Sequence, residues 1–242
     1  RADGSLFSIR AKALVNAAGP WVAKFIKDDL KLDSPYGIRL IQGSHLIVPK
    51  LYEGAHAHIL QNEDGRIVFT IPYLNHLTII GTTDREYTGD PAKVAITEGE
   101  TDYMLNVVNA HFKQQLSRDD IVHTYSGVRP LCNDESDNPS AITRDYTLAL
   151  SGTGEEAPIL SVFGGKLTTY RKLAESALAQ LAPYFPHIKP SWTAKASLPG
   201  GEDMTTPEAL ATDIRSKFEW IPSEIARRWS TTYGSRTWRL LE

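Results

Sequence analysis

The sequence predicts an α+β protein, in which an antiparallel or mixed β-sheet carries flanking helices and is followed by a helical C-terminal region. Between Tyr36 and Thr83, segments rich in Ile, Val, Thr and Phe alternate with polar turns such as Asn-Glu-Asp-Gly, a pattern typical of an antiparallel meander. The stretch Glu98–Leu116 instead has the apolar spacing of a helix. A strand-rich region together with flanking helices indicates the α+β class.

The other predicted elements follow the same two patterns. The remaining strands are short and apolar: Leu6–Ile9, Ala13–Ala17, Ile121–Pro130, Thr143–Leu150 and Pro158–Phe163. The remaining helices have apolar residues at helical spacing: Trp21–Leu30, Leu167 to about Leu181, Pro207–Phe218 and Pro222–Tyr233. The stretch Leu198–Thr206 contains proline, glycine and acidic residues and is interpreted as a linker.

Composition excludes several classes of protein. The 242 residues are 41% hydrophobic and 23% charged, with a formal net charge of −3, which is typical of a globular protein and not of a nucleic-acid-binding one. The single cysteine, Cys132, excludes an internal disulfide and fits a reducing compartment. The seven histidines show no HExxH pattern and Cys132 has no CxxC partner, so no metal site is predicted.

Two segments resemble nucleotide-binding motifs, but the residues around them do not fit those motifs. The segment Gly152–Ala157, GTGEEA, fits G-x-G-x-x-A, but Pro158 and a strand follow it where the motif needs a helix, so a hairpin loop is expected. The segment GGKL resembles the end of a P-loop, but Leu167 stands where the magnesium-binding Ser or Thr belongs. Neither motif therefore supports a nucleotide site.

Four polar residues in strand or turn positions are candidates for a binding site. His45 lies in the predicted strand QGSHLIVP, where a hydrogen-bonded structural histidine is the simpler interpretation. Arg129 and Arg144 lie on or beside strands, and buried arginines are costly unless paired, either with a bound anion or with a local carboxylate such as Asp134 or Asp145. Lys166 precedes a helix, where a cation opposes the helix dipole unless an anion lies between them.

Together, three cations and an imidazole on neighbouring elements would suit a small phosphorylated substrate.

Several long segments carry a resemblance to a known family: VNAAGPWV, SPYGIRLIQGSHLIVP, ILQNEDGRIVFTIP, IIGTTDREYTGDP, LSRDDIVHTYSGVRPLCNDESDNPSAITRDYTL and LSVFGGKLTTYRKLAE. They closely resemble the bacterial FAD-dependent (aerobic, respiratory) glycerol-3-phosphate dehydrogenases, from about Ala13 to Gly201. The family opens with a G-x-G-x-x-G turn for the FAD pyrophosphate, which this sequence lacks. Because the chain also begins at Arg1 without a methionine, we expect it to be a piece of a longer protein.

The resemblance implies a reaction and a role for each candidate. Family members oxidise sn-glycerol 3-phosphate to dihydroxyacetone phosphate by hydride transfer to FAD, and electrons continue to the quinone pool. His45 would face the substrate C2 hydroxyl as a general base or hydrogen-bond partner. Arg129 and Arg144 would bind the substrate phosphate, and Lys166 would lie between the flavin and the substrate.

The resemblance also implies contacts with the cofactor. Ala18 and Gly19, in the AAGPW turn, would approach the flavin from one side. On the other side Gly165 would permit close backbone contact, and the N–H groups of Leu167 and Thr168 would face the electron-rich pyrimidine edge of the ring. FAD is therefore expected in the whole protein, and the chain alone is expected to lack it.

For the whole protein, the resemblance implies a peripheral association with the inner face of the cytoplasmic membrane and a possible homodimer. It also implies a division of this chain into four parts. Residues 1–35 would be a remnant of the FAD-binding domain and residues 36–157 the substrate-binding sheet. Residues 158–197 would return to the FAD-binding domain, and residues 198–242 would form a linker and the start of a C-terminal helical domain.

Two other interpretations stay open. A related FAD-dependent amine or amino-acid oxidase would share the AAGPW turn and the sheet, but its carboxylate substrates need fewer cations than Arg129, Arg144 and Lys166 provide. A non-catalytic binding or interaction module would use none of these residues for chemistry.

Overall fold

The computed structural model describes residues 3–132, 145–152 and 156–242. The chain forms two compact units, one extending to Pro186 and the other comprising His187–Glu242. The first unit contains two β-sheets and three α-helices, and the second contains helices. The predicted α+β class is confirmed, with antiparallel and mixed sheets. The four-part division of the chain stays a prediction.

The larger sheet of the first unit has six antiparallel strands. They are β2 (Ile38–Pro49), β3 (His58–Gln61), β4 (Ile67–Tyr73), β5 (Leu77–Gly81), β6 (Arg85–Tyr87) and β7 (His123–Cys132). Along one side, β2 pairs first with β6 and then with β5, so the link Thr82–Asp84 passes beside Gly43 and Ser44. On its other side β2 pairs with β7.

The main hydrophobic core of this sheet lies on one face, and a smaller buried pair, Ile41 and Leu131, lies on the other. Helix α2 (Glu98–His111) covers the face of the main core, where Leu46 and Val48 of β2 pack with Met104 and Val108 of the helix. Side chains alternate between the two faces of a strand, so Gly43 and His45 point to the opposite face. Along the register, His45 lies opposite Gly81 of β5 and Tyr125 of β7.

The smaller sheet contains β1 (Leu14–Asn16), β9 (Ile159–Gly164) and β8 (Tyr146–Ser151), in that order. β1 is parallel to β9, and β8 is antiparallel to it. Helix α3 (Tyr170–Leu181) follows β9 after a 3₁₀ turn, Leu167–Thr169, and packs on Leu160. This arrangement sets the glycine-containing turn after β9 beside β7.

Some predicted bounds differ from the observed ones. Leu6–Ile9 form no strand, and Leu6 is 99% exposed, because strand propensity needs a neighbouring strand with which to pair. The predicted helix Trp21–Leu30 is a mixture of a 3₁₀ turn, the short α-helix α1 (Val22–Lys24) and a π-helical turn, Phe25–Asp29.

The second unit packs two helices, α4 (Pro207–Lys217) and α5 (Ser223–Tyr233), around Leu210, Ile214, Ile221 and Ala226. Thr206 caps α4 by accepting a hydrogen bond from the Ala209 N–H. No helix in the described part of the chain is both long enough and apolar enough to cross a membrane.

Candidate active site

The His45 side chain lies between residues of its two neighbouring strands, β5 and β7. Its ring stacks on Tyr125 of β7, with centroids 4.5 Å apart and planes 5° from parallel. On the other side it leans over Gly81, where a Cβ atom would lie 2.2 Å from His45 Cδ2. Glycine at position 81 is therefore what leaves room for the imidazole.

The environment of His45 favours its neutral form. Burial lowers the pKa of the imidazole, and the positive charge of Arg129 lowers it further. The buried Nδ1 atom has no hydrogen-bond partner among the residues that the structure describes. Because buried polar atoms are nearly always paired, Nδ1 is available to a partner from outside the described residues. The interpretation of His45 as a hydrogen-bonded structural residue is therefore not supported.

Arg129 shares the face of the sheet that carries His45. It pairs with Ile41 in the β2–β7 register, and its Nη1 donates to Asp84 in the link between β5 and β6. The guanidinium lies over Gly43, where an added Cβ would be 3.1 Å from Nη2 and 3.2 Å from Nη1. A guanidinium has five N–H donors, so an arginine held at Nη1 can still offer others to a second anion.

The turn after β9 supplies the second part of the site. Gly164 and Gly165 have φ of +73° and +102°, a region that other residues rarely adopt. Lys166 follows as an exposed side chain, and its carbonyl accepts from the Thr169 N–H. The N–H groups of Leu167 and Thr168 open the 3₁₀ turn, so no carbonyl within that turn can accept from them. The Leu167 side chain is 90% exposed.

A cavity of about 330 Å³ joins Arg129 to the turn after β9, and His45, Ala18 and Gly19 are not among its lining residues. It is lined by Val128, Arg129, Pro130, Leu131, Gly165, Lys166 and Leu167. The structure thus brings Arg129 and the Gly165–Leu167 turn, which lie far apart in the sequence, to one cavity.

The turn containing Ala18 and Gly19 is held by Asn16. The Asn16 side chain is buried, its Nδ2 donates to the Val22 carbonyl at 3.1 Å, and its Oδ1 accepts from the Ala18 N–H at 3.3 Å. Gly19 has a φ of +56°. The following 3₁₀ turn, Gly19–Trp21, packs against β7 and β9. This turn therefore approaches β7, which carries Arg129, and β9, which Gly165 follows.

The sequence prediction missed several residues that shape the site. They are Asn16, Gly81, Asp84 and Tyr125. Asp84 and Tyr125 act across strands whose pairing no local pattern gives, whereas the Asn16 side chain bonds within its own turn and Gly81 stands in the G-T-T segment, which was visible. Arg144 lies outside the described residues. The roles assigned to all the candidates stay predictions.

The residues present fit the edge of a flavin. Two glycines in the left-handed region let a flat ring approach the backbone after β9, and the outward N–H groups of Leu167 and Thr168 are donors suited to its electron-rich edge. No group of three or more His, Cys, Asp or Glu suited to a metal occurs in the described ranges.

Comparison with known proteins defines the class. The sequence profile of the FAD dependent oxidoreductases matches residues 1–171, and the chain belongs to this family. It is 85% identical, over its whole length, to a glycerol-3-phosphate dehydrogenase of Pseudomonas tolaasii, of which it covers 47%. It is 56% identical over 98% of its length to the aerobic glycerol-3-phosphate dehydrogenase of Escherichia coli (strain K12), of which it covers 48%.

A solved structure agrees with these sequence relatives. The glycerol-3-phosphate dehydrogenase from Bacillus halodurans, complexed with FAD, matches with a TM-score of 0.81 and 30% identity. The match covers 97% of this chain and 45% of that one. The chain spans about half the length of the curated relatives it matches.

Proposed function

We propose that this chain carries the substrate-binding sheet and a flavin-facing turn of an FAD-dependent glycerol-3-phosphate dehydrogenase. The reaction would be oxidation of sn-glycerol 3-phosphate to dihydroxyacetone phosphate. The observation that carries the proposal is the cavity shared by Arg129 and the Gly165–Leu167 turn. The relatives named glycerol-3-phosphate dehydrogenase support the choice of substrate.

Arg129 would bind the substrate phosphate. Its charge-assisted donors suit phosphate oxygens, while Asp84 fixes Nη1 and keeps the guanidinium from moving freely. Lys166, exposed at the same cavity, adds a second cation. Two cations at one cavity favour a phosphate over the carboxylate of an amine or amino-acid oxidase substrate.

His45 would accept the proton of the C2 hydroxyl. A general base must be unprotonated, and the lowered pKa of His45 keeps it so near neutral pH. Stacking on Tyr125 and the close approach to Gly81 fix the plane of the ring, which orients its nitrogens before substrate binds. FAD, when bound, would supply the hydride acceptor.

The wider setting of the enzyme is part of the same proposal. We propose that the whole protein passes electrons to quinone from a peripheral position on the inner face of the cytoplasmic membrane, and that it forms a homodimer. The relative named as an aerobic dehydrogenase supports an electron acceptor linked to respiration. Membrane fractionation of the expressed full-length protein, followed by quinone reduction with glycerol 3-phosphate as donor, tests this part.

The central test is Arg129→Met in the full-length protein. Loss of a desolvated charge-assisted contact of about 2 kcal/mol would raise KM for glycerol 3-phosphate roughly 30-fold. Arg118→Met is the matched control, because Arg118 forms a two-point ion pair with Asp102 at the surface of α2. An unchanged KM in the Arg129 variant would favour a non-catalytic module, and turnover of glycine would favour an amine or amino-acid oxidase.

A further inference from the structure

A buried carboxylate lies on the far side of β2 from the candidate site. Glu100, in the first turn of α2, is 8% exposed. No cation within residues 3–132, 145–152 or 156–242 forms an ion pair with it. Burial raises the pKa of Glu100, but hydrogen bonds from Thr83, Thr97 and Ser44 outweigh that effect, and the pKa is below its usual value. The carboxylate is therefore held ionised by neutral donors.

Helix capping explains only one of its two oxygens. Oε2 accepts from the N–H and the hydroxyl of Thr97, both at 2.9 Å, and Thr97 Oγ1 accepts from the Glu100 N–H, which completes a capping box. Oε1 points into the sheet. It accepts from Thr83 Oγ1 at 2.7 Å and from Ser44 Oγ at 2.9 Å. The Gln42 amide donates to both oxygens, at 3.4 Å to Oε1 and at 3.1 Å to Oε2.

These two donors are next in sequence to the two residues that contact the guanidinium of Arg129. Ser44 follows Gly43, over which the guanidinium lies, and Thr83 precedes Asp84, to which the guanidinium is paired. Thr83 Oγ1 also accepts from the Ser44 N–H at 3.1 Å. At Gly43 and Ser44 no strand of the described residues lies on this side of β2, and the link between β5 and β6 takes its place. One carboxylate oxygen of Glu100 thus connects strand β2 at Ser44 with the β5–β6 link at Thr83.

We infer that Glu100 is a positioning residue for Arg129, acting through Ser44 and Thr83 to set the distance between Gly43 and Asp84. This inference rests on the proposed function, because it assumes that Arg129 binds the substrate phosphate. The hydroxyl of Thr83 is the connection that reaches Asp84. Without this hydroxyl the β5–β6 link has no hydrogen bond to Glu100. Asp84 then no longer holds the guanidinium at one place over Gly43.

The test compares two buried threonines in the full-length, FAD-containing protein. Thr83 and Thr78 are 3% and 1% exposed, and each hydroxyl accepts a backbone N–H, from Ser44 at 3.1 Å and from Leu51 at 3.2 Å. Thr83→Val and Thr78→Val therefore remove the same group from similar surroundings. Only Thr83 is joined to Glu100 and to the link that carries Asp84. Thr83→Ser keeps the hydroxyl and serves as the rescue variant.

We expect Thr83→Val to raise KM for glycerol 3-phosphate about fivefold, the change for one displaced hydrogen bond, with kcat nearly unchanged. Thr78→Val should lower the melting temperature similarly but keep the wild-type KM, and Thr83→Ser should also keep it. If both valine variants have the same KM, the Thr83 hydroxyl acts only on stability and the inference is overturned.

A second readout does not depend on turnover. The charge of Arg129 lowers the pKa of His45, so displacing Arg129 should raise that pKa in an NMR titration of His45. The rise should appear in Thr83→Val and not in Thr78→Val. If the wild-type protein does not oxidise glycerol 3-phosphate, the proposed function fails, but the titration still tests the positioning of Arg129. An unshifted His45 in Thr83→Val would overturn the positioning role alone.

Discussion

Replacing Gly81 by alanine should displace the His45 ring from its position between Gly81 and Tyr125. The new Cβ would lie 2.2 Å from Cδ2, 2.8 Å from Cγ and 2.9 Å from Nε2 of the imidazole. Ordinary contact begins at 3.4 Å, so the ring must withdraw by about 1.2 Å. Withdrawal from β5 moves the ring toward Tyr125 of β7, whose ring is already stacked on it. The ring must therefore tilt or slide instead of simply receding.

The size of the effect follows from that displacement. A misplacement of about 1 Å in a reacting group can cost roughly 100-fold in rate, and overpacking a site costs about 1–3 kcal/mol of stability. We expect Gly81→Ala in the full-length protein to lower kcat/KM for glycerol 3-phosphate by about two orders of magnitude. Stopped-flow measurement of flavin reduction would show whether the loss is in the chemical step.

Gly99→Ala is the matched control for Gly81→Ala. A Cβ at Gly99 meets nothing within 4 Å, and the residue lies in the first turn of α2. The control should keep wild-type rates and gain slightly in stability, as glycine-to-alanine changes in helices generally do. A Gly81→Ala protein that binds flavin normally and reduces it within about threefold of the wild-type rate would refute the reasoning, because a ring displaced by 1 Å could not do so.

Two further predictions concern the flavin-facing turn and the pH dependence. Asn16→Ala removes the acceptor of the Ala18 N–H and one of the two donors to the Val22 carbonyl, which keeps the Phe25 N–H, so we expect a loss of about 1–3 kcal/mol in unfolding free energy and a lower ratio of flavin to protein; unchanged values of both would contradict the role of Asn16. Because the pKa of His45 is lowered in the folded state, kcat/KM should persist as pH falls through the usual histidine value of about 6.5 and decline only below it. Between the two pKa values the unfolded state binds a proton that the folded state does not, so the free energy of unfolding should decrease as the pH decreases. His45→Asn should weaken this dependence in denaturant titrations.

The sequence predicted the parts of the site that local patterns reveal. Gly164, Gly165 and Lys166 stand where a strand meets a helix, and that junction has a recognisable composition. The strand containing His45 was equally clear from its β-branched residues. Local sequence therefore predicted the type of element that carries His45 and Lys166, while their roles stay predictions.

The partners of these residues depend on strand pairing and could not be predicted in the same way. For the arginines the sequence leaves two partners open, a bound anion or a local carboxylate such as Asp134 or Asp145, but Arg129 is paired with Asp84, 45 residues earlier in the chain. Strand order alone brings Asp84 to Arg129. The T-x-x-E pattern of Thr97 and Glu100 signals a capping box, but it does not show that the second oxygen of Glu100 reaches the sheet.

The strand β2 ties the candidate site to the hydrophobic core. Its even-numbered residues Leu46 and Val48 pack against α2, while Gly43 and His45 alternate with them and face the site. A shift of one residue in the pairing of β2 would exchange the two faces, so the burial of the core also fixes the register of His45 against Gly81 and Tyr125. The side chain of His45 is thus placed by the same packing that folds the sheet. It follows that changes at Leu46, although its side chain faces away from the site, should alter both stability and the position of His45.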